Sequence, residues 1–384
     1  MNDPLLTSQH HTLRDEVRAF AEKEIAPLAA ELDESVTFSV PLTERMFDMG
    51  LLKIQLSKDY GGMGLDTISY IIAVEELARV DGSQAATVAA HNSLGIAPIE
   101  KYGTREQKEK YLPMLSKGKK LWAFGLTEPN AGSDSNNTET VATPENGQLV
   151  INGKKIYITN VSSPMAGGIT VQAVTGERGQ GRKELSVILV EKDLPGYRAE
   201  TIIDKMMWRG ADTGRVLFEN VRVPEESILG DRGMGSKIML ATLDGGRLSI
   251  AAMGLGLAQG AFELAMDYAS KRIQFGRPIR SFQANTFKLA DMATKIELAR
   301  SLLYKACWLK DNGHPFGKEA AMAKLYTSEI AREVVNESLQ IHGAHGLMKE
   351  NAIERFYRDQ RILEIGEGTS EILRVVIARH LGIR

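Results

Sequence analysis

The 384 residues are 43% hydrophobic and 25% charged, with a formal net charge of −2, 12 prolines and a single cysteine, Cys307. A chain this long exceeds one ordinary hydrophobic core, so two or three packed domains are expected. The near-neutral balance offers no basic field for nucleic acid, and one cysteine excludes an internal disulfide and any Cys-x-x-Cys metal or redox signature.

From Leu13 the apolar residues Val17, Phe20, Ala21, Ile25, Leu28 and Leu32 recur at helical spacing with charges between them, which predicts a surface helix and leaves no export leader at the start. The cysteine usage fits a reducing compartment, and the cytoplasm is the expected location. A second helix is predicted from Pro41 to Gly50, and Thr104-Arg-Glu-Gln107 has the form of a capping box opening another, so the first third of the chain reads as helical.

After Trp122 the texture changes. Short β-prone runs at 138–143, 148–152 and 154–159, divided by Asn146-Gly147 and Asn152-Gly153 turns, predict a meander. Further runs at 169–174, 185–190 and 215–223 extend it, with a glycine-rich charged loop at 175–183. From about Gly233 helical spacing returns, clearest at Ile296, Ala299, Leu302, Leu303, Ala306 and Leu309, ending near Gly313-His314-Pro315. The apolar stretch Leu248–Met266 contains Gln259, Glu263 and several glycines, which lipid tolerates poorly, and is read as a buried helix outside any membrane. Helices, then strands, then helices is not the alternation of a doubly wound parallel sheet.

Few residues invite chemistry. Gly254-x-Gly256-x-x-x-Gly260 has the wrong spacing for a dinucleotide fingerprint and no strand before it, so close helix packing is the better reading. His342 and His345 lack a nearby third ligand, and no metal is expected. The segment Phe124–Asp134 mixes hydroxyls with turn formers such as Pro129, Gly132 and Ser133, as suits a loop that turns backbone N–H groups toward an anion or polar ring. Glu367 lies between Gly366 and Gly368 just before a helix that Thr369 or Ser370 can cap. By chemistry alone it is either a poised carboxylate or one solvated near a helix N-terminus.

The loop Leu126-Thr-Glu-Pro-Asn-Ala-Gly-Ser-Asp134, the strand Tyr157-Ile-Thr159, the run Arg272-Ile-Gln-Phe-Gly276 and the tail Glu367-Gly-Thr-Ser370, in this order, resemble the signature segments of acyl-CoA dehydrogenases of the short- and medium-chain bacterial type, and the resemblance covers essentially the whole chain. It implies a mainly α fold with a central β domain: a helical N-terminal domain (1–122), a β-barrel-like middle domain (123–232) and a C-terminal four-helix bundle (233–384). It further implies FAD as cofactor, an acyl-CoA substrate, electron-transferring flavoprotein as acceptor and a homotetramer.

Carried over by position, Phe124, Leu126, Thr127, Ser133, Tyr157 and Thr159 are expected along the flavin, Ser133 also near the thioester. Arg272 is expected at the FAD pyrophosphate across a subunit boundary, with Gln274, Phe275 and Gln283 nearby. Gln340, Ile341, Gly343, Thr369 and Glu371 complete the cofactor set, and Asp244, Arg247 and Gly368 line the acyl-CoA channel, although Arg247 can equally be an ion-pair partner. Glu367 is the expected catalytic base, because the family's alternative position holds Gly246. Gly366 stands where many members carry a tyrosine, which widens the expected acyl pocket toward a branched, cyclic or otherwise bulky group; His345, Ala344 and residues 161–168 also depart from the pattern, so chain length is not carried over from the family. An oxidase, an enoyl-CoA reductase or a non-catalytic flavoprotein are the rival readings.

Overall fold

The computed structural model describes residues 5–179 and 181–383. The first helix, Ser8–Phe20, begins earlier than the apolar spacing indicates, because Thr7 and His10 form a reciprocal capping box. It passes through a π turn, Ala21–Ile25, into Ala26–Glu34, and a second π turn, His91–Ile96, runs into Ala97–Tyr102. In both cases a proline, Pro27 or Pro98, opens the next helical piece. A proline has no N–H to continue the ladder, and the wider turn before it absorbs that break.

Val40–Asp48, capped by Ser39, and Arg105–Ser116, opened by the Thr104 and Gln107 capping box, lie where the sequence places them. Between them Thr67–Ala78 is buried at every position. Glu75 and Glu76 on this helix are met by Arg14, Arg18, Arg79 and Arg300.

The β domain holds seven strands: β1 (Leu121–Gly125), β2 (Val141–Glu145), β3 (Gln148–Thr159), β4 (Ala166–Glu177), β5 (Lys183–Glu191), β6 (Tyr197–Thr201) and β7 (Thr213–Pro224). Their order is β1-β4-β2-β3-β7-β6, with β5 on the other side of β4. The simple meander is therefore corrected, since β4 pairs in parallel with β1 and β2 while β3 pairs with β7. The expected Asn146-Gly147 turn joins β2 to β3, with φ of 52° and 76° at its two residues. Asn152-Gly153 is no turn. It is a bulge inside β3, where the register against β7 slips between Ile151 and Gly153, and the side chains of Asn152 and Asn220 hydrogen bond across it at 3.1 Å. Residues 138–140 also fall outside β2.

One sheet face buries Leu149, Ile151, Ile158, Val171, Val190 and Phe218 in a core of its own, separate from the larger helical core. The C-terminal bundle consists of Gly235–Lys271, Gln283–Asp311 and Gly317–His342, with Ala352–Asp359 and Ser370–His380 completing it. Gly235–Lys271 is long and apolar enough to cross a membrane, yet most of its apolar stretch is buried within the protein. An added Cβ at Gly256 or Gly260 would lie 2.2 Å from the carbonyl oxygen of Glu75 and 2.1 Å from that of Arg79, so these glycines let two helices touch.

Candidate active site

Glu367 stands on a tight turn just ahead of Ser370–His380. Its own φ is 53° and that of Gly368 is 105°, so two successive residues occupy the region that favours glycine. Two anchors hold the turn: Thr369 caps the helix by accepting the Ile372 N–H at 3.2 Å, and Lys324 donates to the Gly368 carbonyl at 2.6 Å. A glutamate at φ > 0 is an unfavourable backbone choice that persists only where the surroundings fix it.

The carboxylate is aimed inward. Glu367 is half-buried as a residue, but its Oε2 is fully buried and has no hydrogen-bond partner. A Cβ built on Gly246 would lie 1.9 Å from that oxygen and 3.0 Å from Leu94. Position 246 must therefore lack a side chain for Glu367 to sit where it does. Burial raises the Glu367 carboxyl to about 7, while Lys324 and Arg247 pull it down. Burial likewise lowers Lys324 to about 8. Arg247 is buried and paired with Asp244, and its Nε has no partner. A carboxylate so placed is poised to exchange a proton near neutrality.

The second cluster forms around the loop after β1. A buried ion pair, Lys155 with Glu128 at 2.7 Å, pins it. Glu128 also accepts the backbone N–H groups of Glu139 at 2.6 Å and Thr140 at 3.1 Å, and Lys155 donates to the Leu126 carbonyl at 3.2 Å. The Thr127 carbonyl receives the Ile156 N–H at 3.0 Å, which sets Thr127 beside the end of β3, where Tyr157 and Thr159 lie. Phe124, Leu126, Thr127 and Thr159 are half-buried, whereas Ser133 is exposed. Tyr157, at φ 62°, is 68% exposed. Among the described residues, the hydroxyls of Thr127, Ser133 and Thr159 make no hydrogen bond to the chain. The free hydroxyls of Thr127 and Thr159 near the exposed Tyr157 ring are a donor set that fits the polar edge and flat face of a flavin, while Ser133 lies further along the loop.

A third group lies at the far end of the bundle. Arg272, Gln274, Phe275 and Gln283 are all exposed, Phe275 by 94%, on a small hairpin at the end of Gly235–Lys271. Tyr268, one turn before Arg272, stacks on His342 at 4.5 Å and so brings the hairpin next to Gln340, Ile341 and Gly343. Arg272 has no ion pair among the described residues, and its guanidinium is free for a phosphate group. Among the described residues no hydrogen bond, ion pair or ring contact joins this group to Glu367. Glu371 is exposed, and the Thr369 hydroxyl is committed to its cap.

Lys324 and the Lys155 and Glu128 pair are site residues that the sequence pattern does not single out. Apolar neighbours such as Ala320–Ala323 before Lys324 do not by themselves distinguish a buried ammonium from a solvated one.

Three domain families match in order: acyl-CoA dehydrogenase N-terminal domain at residues 7–119, middle domain at 123–221 and C-terminal domain at 233–382. A probable acyl-CoA dehydrogenase of Bacillus subtilis is 49% identical over 98% of both chains. The butyryl-CoA dehydrogenase of Megasphaera elsdenii superposes with a TM-score of 0.94 at 40% identity, covering 98% of each chain. A chain solved in work on the electron transferring flavoprotein of Acidaminococcus fermentans gives a TM-score of 0.94 at 42% identity, again over 98% of each. With every domain matched and nearly half of the residues shared with a full-length relative, the chain belongs to the acyl-CoA dehydrogenase family of FAD-dependent oxidoreductases that dehydrogenate acyl-CoA thioesters.

Proposed function

We propose that the protein desaturates a short-chain acyl-CoA between Cα and Cβ, with Glu367 as the base. The observation that carries this reading is the unpaired, buried Glu367 Oε2 packed against a glycine that leaves it room. A thioester α-proton is weakly acidic, and its removal needs a desolvated carboxylate of raised pKa together with donors that stabilise the developing enolate. Glu367 takes the α-proton; its position on a rigid turn fixes the direction of attack. FAD, when bound, supplies the two-electron acceptor for the hydrogen leaving Cβ.

Thr127, Ser133 and Thr159 would hold the flavin edge and Tyr157 would lie against the ring. Arg272, with Gln274, Phe275, Gln283, Gln340, Ile341 and Gly343, serves the FAD of a neighbouring subunit in a homotetramer. Asp244, Arg247 and Gly368 line the acyl-CoA channel. Electron-transferring flavoprotein reoxidises the enzyme in the cytoplasm, away from any membrane. The layout is 1–122, 123–232 and 233–384.

Gly366 bears on the acyl group. A Cβ there meets nothing closer than 3.6 Å, and its φ does not demand glycine, so the missing side chain leaves space beside the base that a branch near Cα can fill. Anaerobic addition of straight, branched and dicarboxylic acyl-CoA thioesters tests the reading. Short straight and branched chains are expected to bleach the visible flavin band, and Gly366→Tyr to slow the branched ones selectively. A bound flavin that no thioester reduces overturns it.

A further inference from the structure

Lys324 is 0% exposed and has no carboxylate within ion-pair distance among the described residues. Its ammonium makes one hydrogen bond, to the Gly368 carbonyl. A neutral donor would satisfy that carbonyl, and burying an unpaired charge is costly, so the charge itself calls for an explanation. Beside that carbonyl stands Glu367, whose buried Oε2 has no hydrogen-bond partner among the described residues. Each is the other's principal compensation, held one peptide apart rather than in contact. A direct ion pair would quench the carboxylate; a cation one carbonyl away biases it without blocking it.

The surrounding charges do not replace this partner. On Gly235–Lys271, Arg247 faces Glu367 but is bound to Asp244. On Thr67–Ala78, the Tyr70 hydroxyl donates to the Ala89 carbonyl at 2.8 Å. Near Lys324, Glu364 is engaged by Arg332 at 2.7 Å and Arg361 at 3.1 Å, and Glu371 is exposed.

We propose that Lys324 is a positioning residue for the base: it clamps the Glu367 and Gly368 turn through the Gly368 carbonyl, and its charge holds Glu367 in the carboxylate form that accepts the proton. This rests on Glu367 being the base.

Lys324→Gln keeps a donor and removes the charge, and Lys324→Arg restores the charge. The protonation of Glu367 is read directly from its infrared carboxylic-acid band, assigned by its loss in Glu367→Gln, as pH is varied in the holoenzyme. Lys324→Gln is expected to move the midpoint alkaline by about one pH unit or more, a roughly tenfold loss of carboxylate below the midpoint. Flavin reduction at neutral pH falls in parallel, with thioester affinity within about threefold of wild type, while Lys324→Arg returns the midpoint. An unmoved midpoint in a Lys324→Gln enzyme that still binds thioester overturns the proposal and leaves the base untouched. Full flavin reduction by Glu367→Gln removes the base and this proposal with it.

Discussion

Glu367 is a carboxylate that the fold prefers neutral. Its value rises from the ordinary 4.5 to about 7 through burial, so its contribution to stability is fully present below about 4.5 and is lost as pH climbs through about 7. Asp359, buried and raised to about 7, acts with the same sign, so the pH dependence of the wild type alone does not isolate Glu367. Glu367→Gln does: the variant is expected to exceed wild type in urea unfolding at pH 8 by on the order of 2–3 kcal/mol, with the gap closing toward pH 4. A constant gap across that range would contradict the burial of the carboxylate. The other side of the contact gives a second test. Gly246→Ala sets a methyl group into the space of Oε2, so flavin reduction is expected to fall at least about tenfold while FAD stays bound. Glu367 was legible only through the signature segments, because an isolated carboxylate between glycines is chemically ambiguous. Lys324 was not legible: a lone lysine on a helix reads as a solvated charge, and its burial is decided by the turn that packs against it from 44 residues away.

Local sequence rules work best where they are self-contained. Thr104 and Gln107 cap a helix by bonding each other's backbone, and Asn146-Gly147 closes a hairpin, and both stand as the sequence indicates. Thr67–Ala78 escapes those rules, since a helix buried on all sides has no polar face to set its period. Asn152-Gly153 misleads in the opposite direction: the same dipeptide chemistry that makes a turn also suits a bulge, and pairing with β7 decides between them. The loop after β1 depends on a pair no local rule can see. Lys155→Met strands the Glu128 charge in the interior, so a loss of about 3–5 kcal/mol is expected, together with a lower ratio of bound flavin to protein. Because removal of both charges leaves neither stranded, Glu128→Gln with Lys155→Met is expected to recover part of the stability; a double variant no better than the single would show that the pair does not act as a unit.

At the scale of the whole molecule, the succession of helical, β and helical regions was legible because it rests on changes in period that persist for dozens of residues. The order of the strands was not, since the parallel pairing of β4 with β1 and β2 joins segments far apart in sequence. Hydrophobic period gives no reason for a phenylalanine that is 94% exposed beside a half-exposed Ile273; only the resemblance, which sets it near a subunit boundary, does. A single chain gains nothing by presenting that ring to water, and a second copy covering it fits the proposed tetramer. Phe275→Asp is expected to shift the sedimenting species toward smaller assemblies and to weaken FAD retention; an unchanged assembly would remove Phe275 from the interface.

The central claim is that Glu367 removes the α-proton. Its most direct test is stopped-flow flavin reduction by butyryl-CoA in Glu367→Gln, set beside thioester binding measured by the shift of the flavin spectrum. The account predicts that binding persists and reduction falls by about 10³-fold or more. Reduction at the wild-type rate in a variant that binds normally would contradict it.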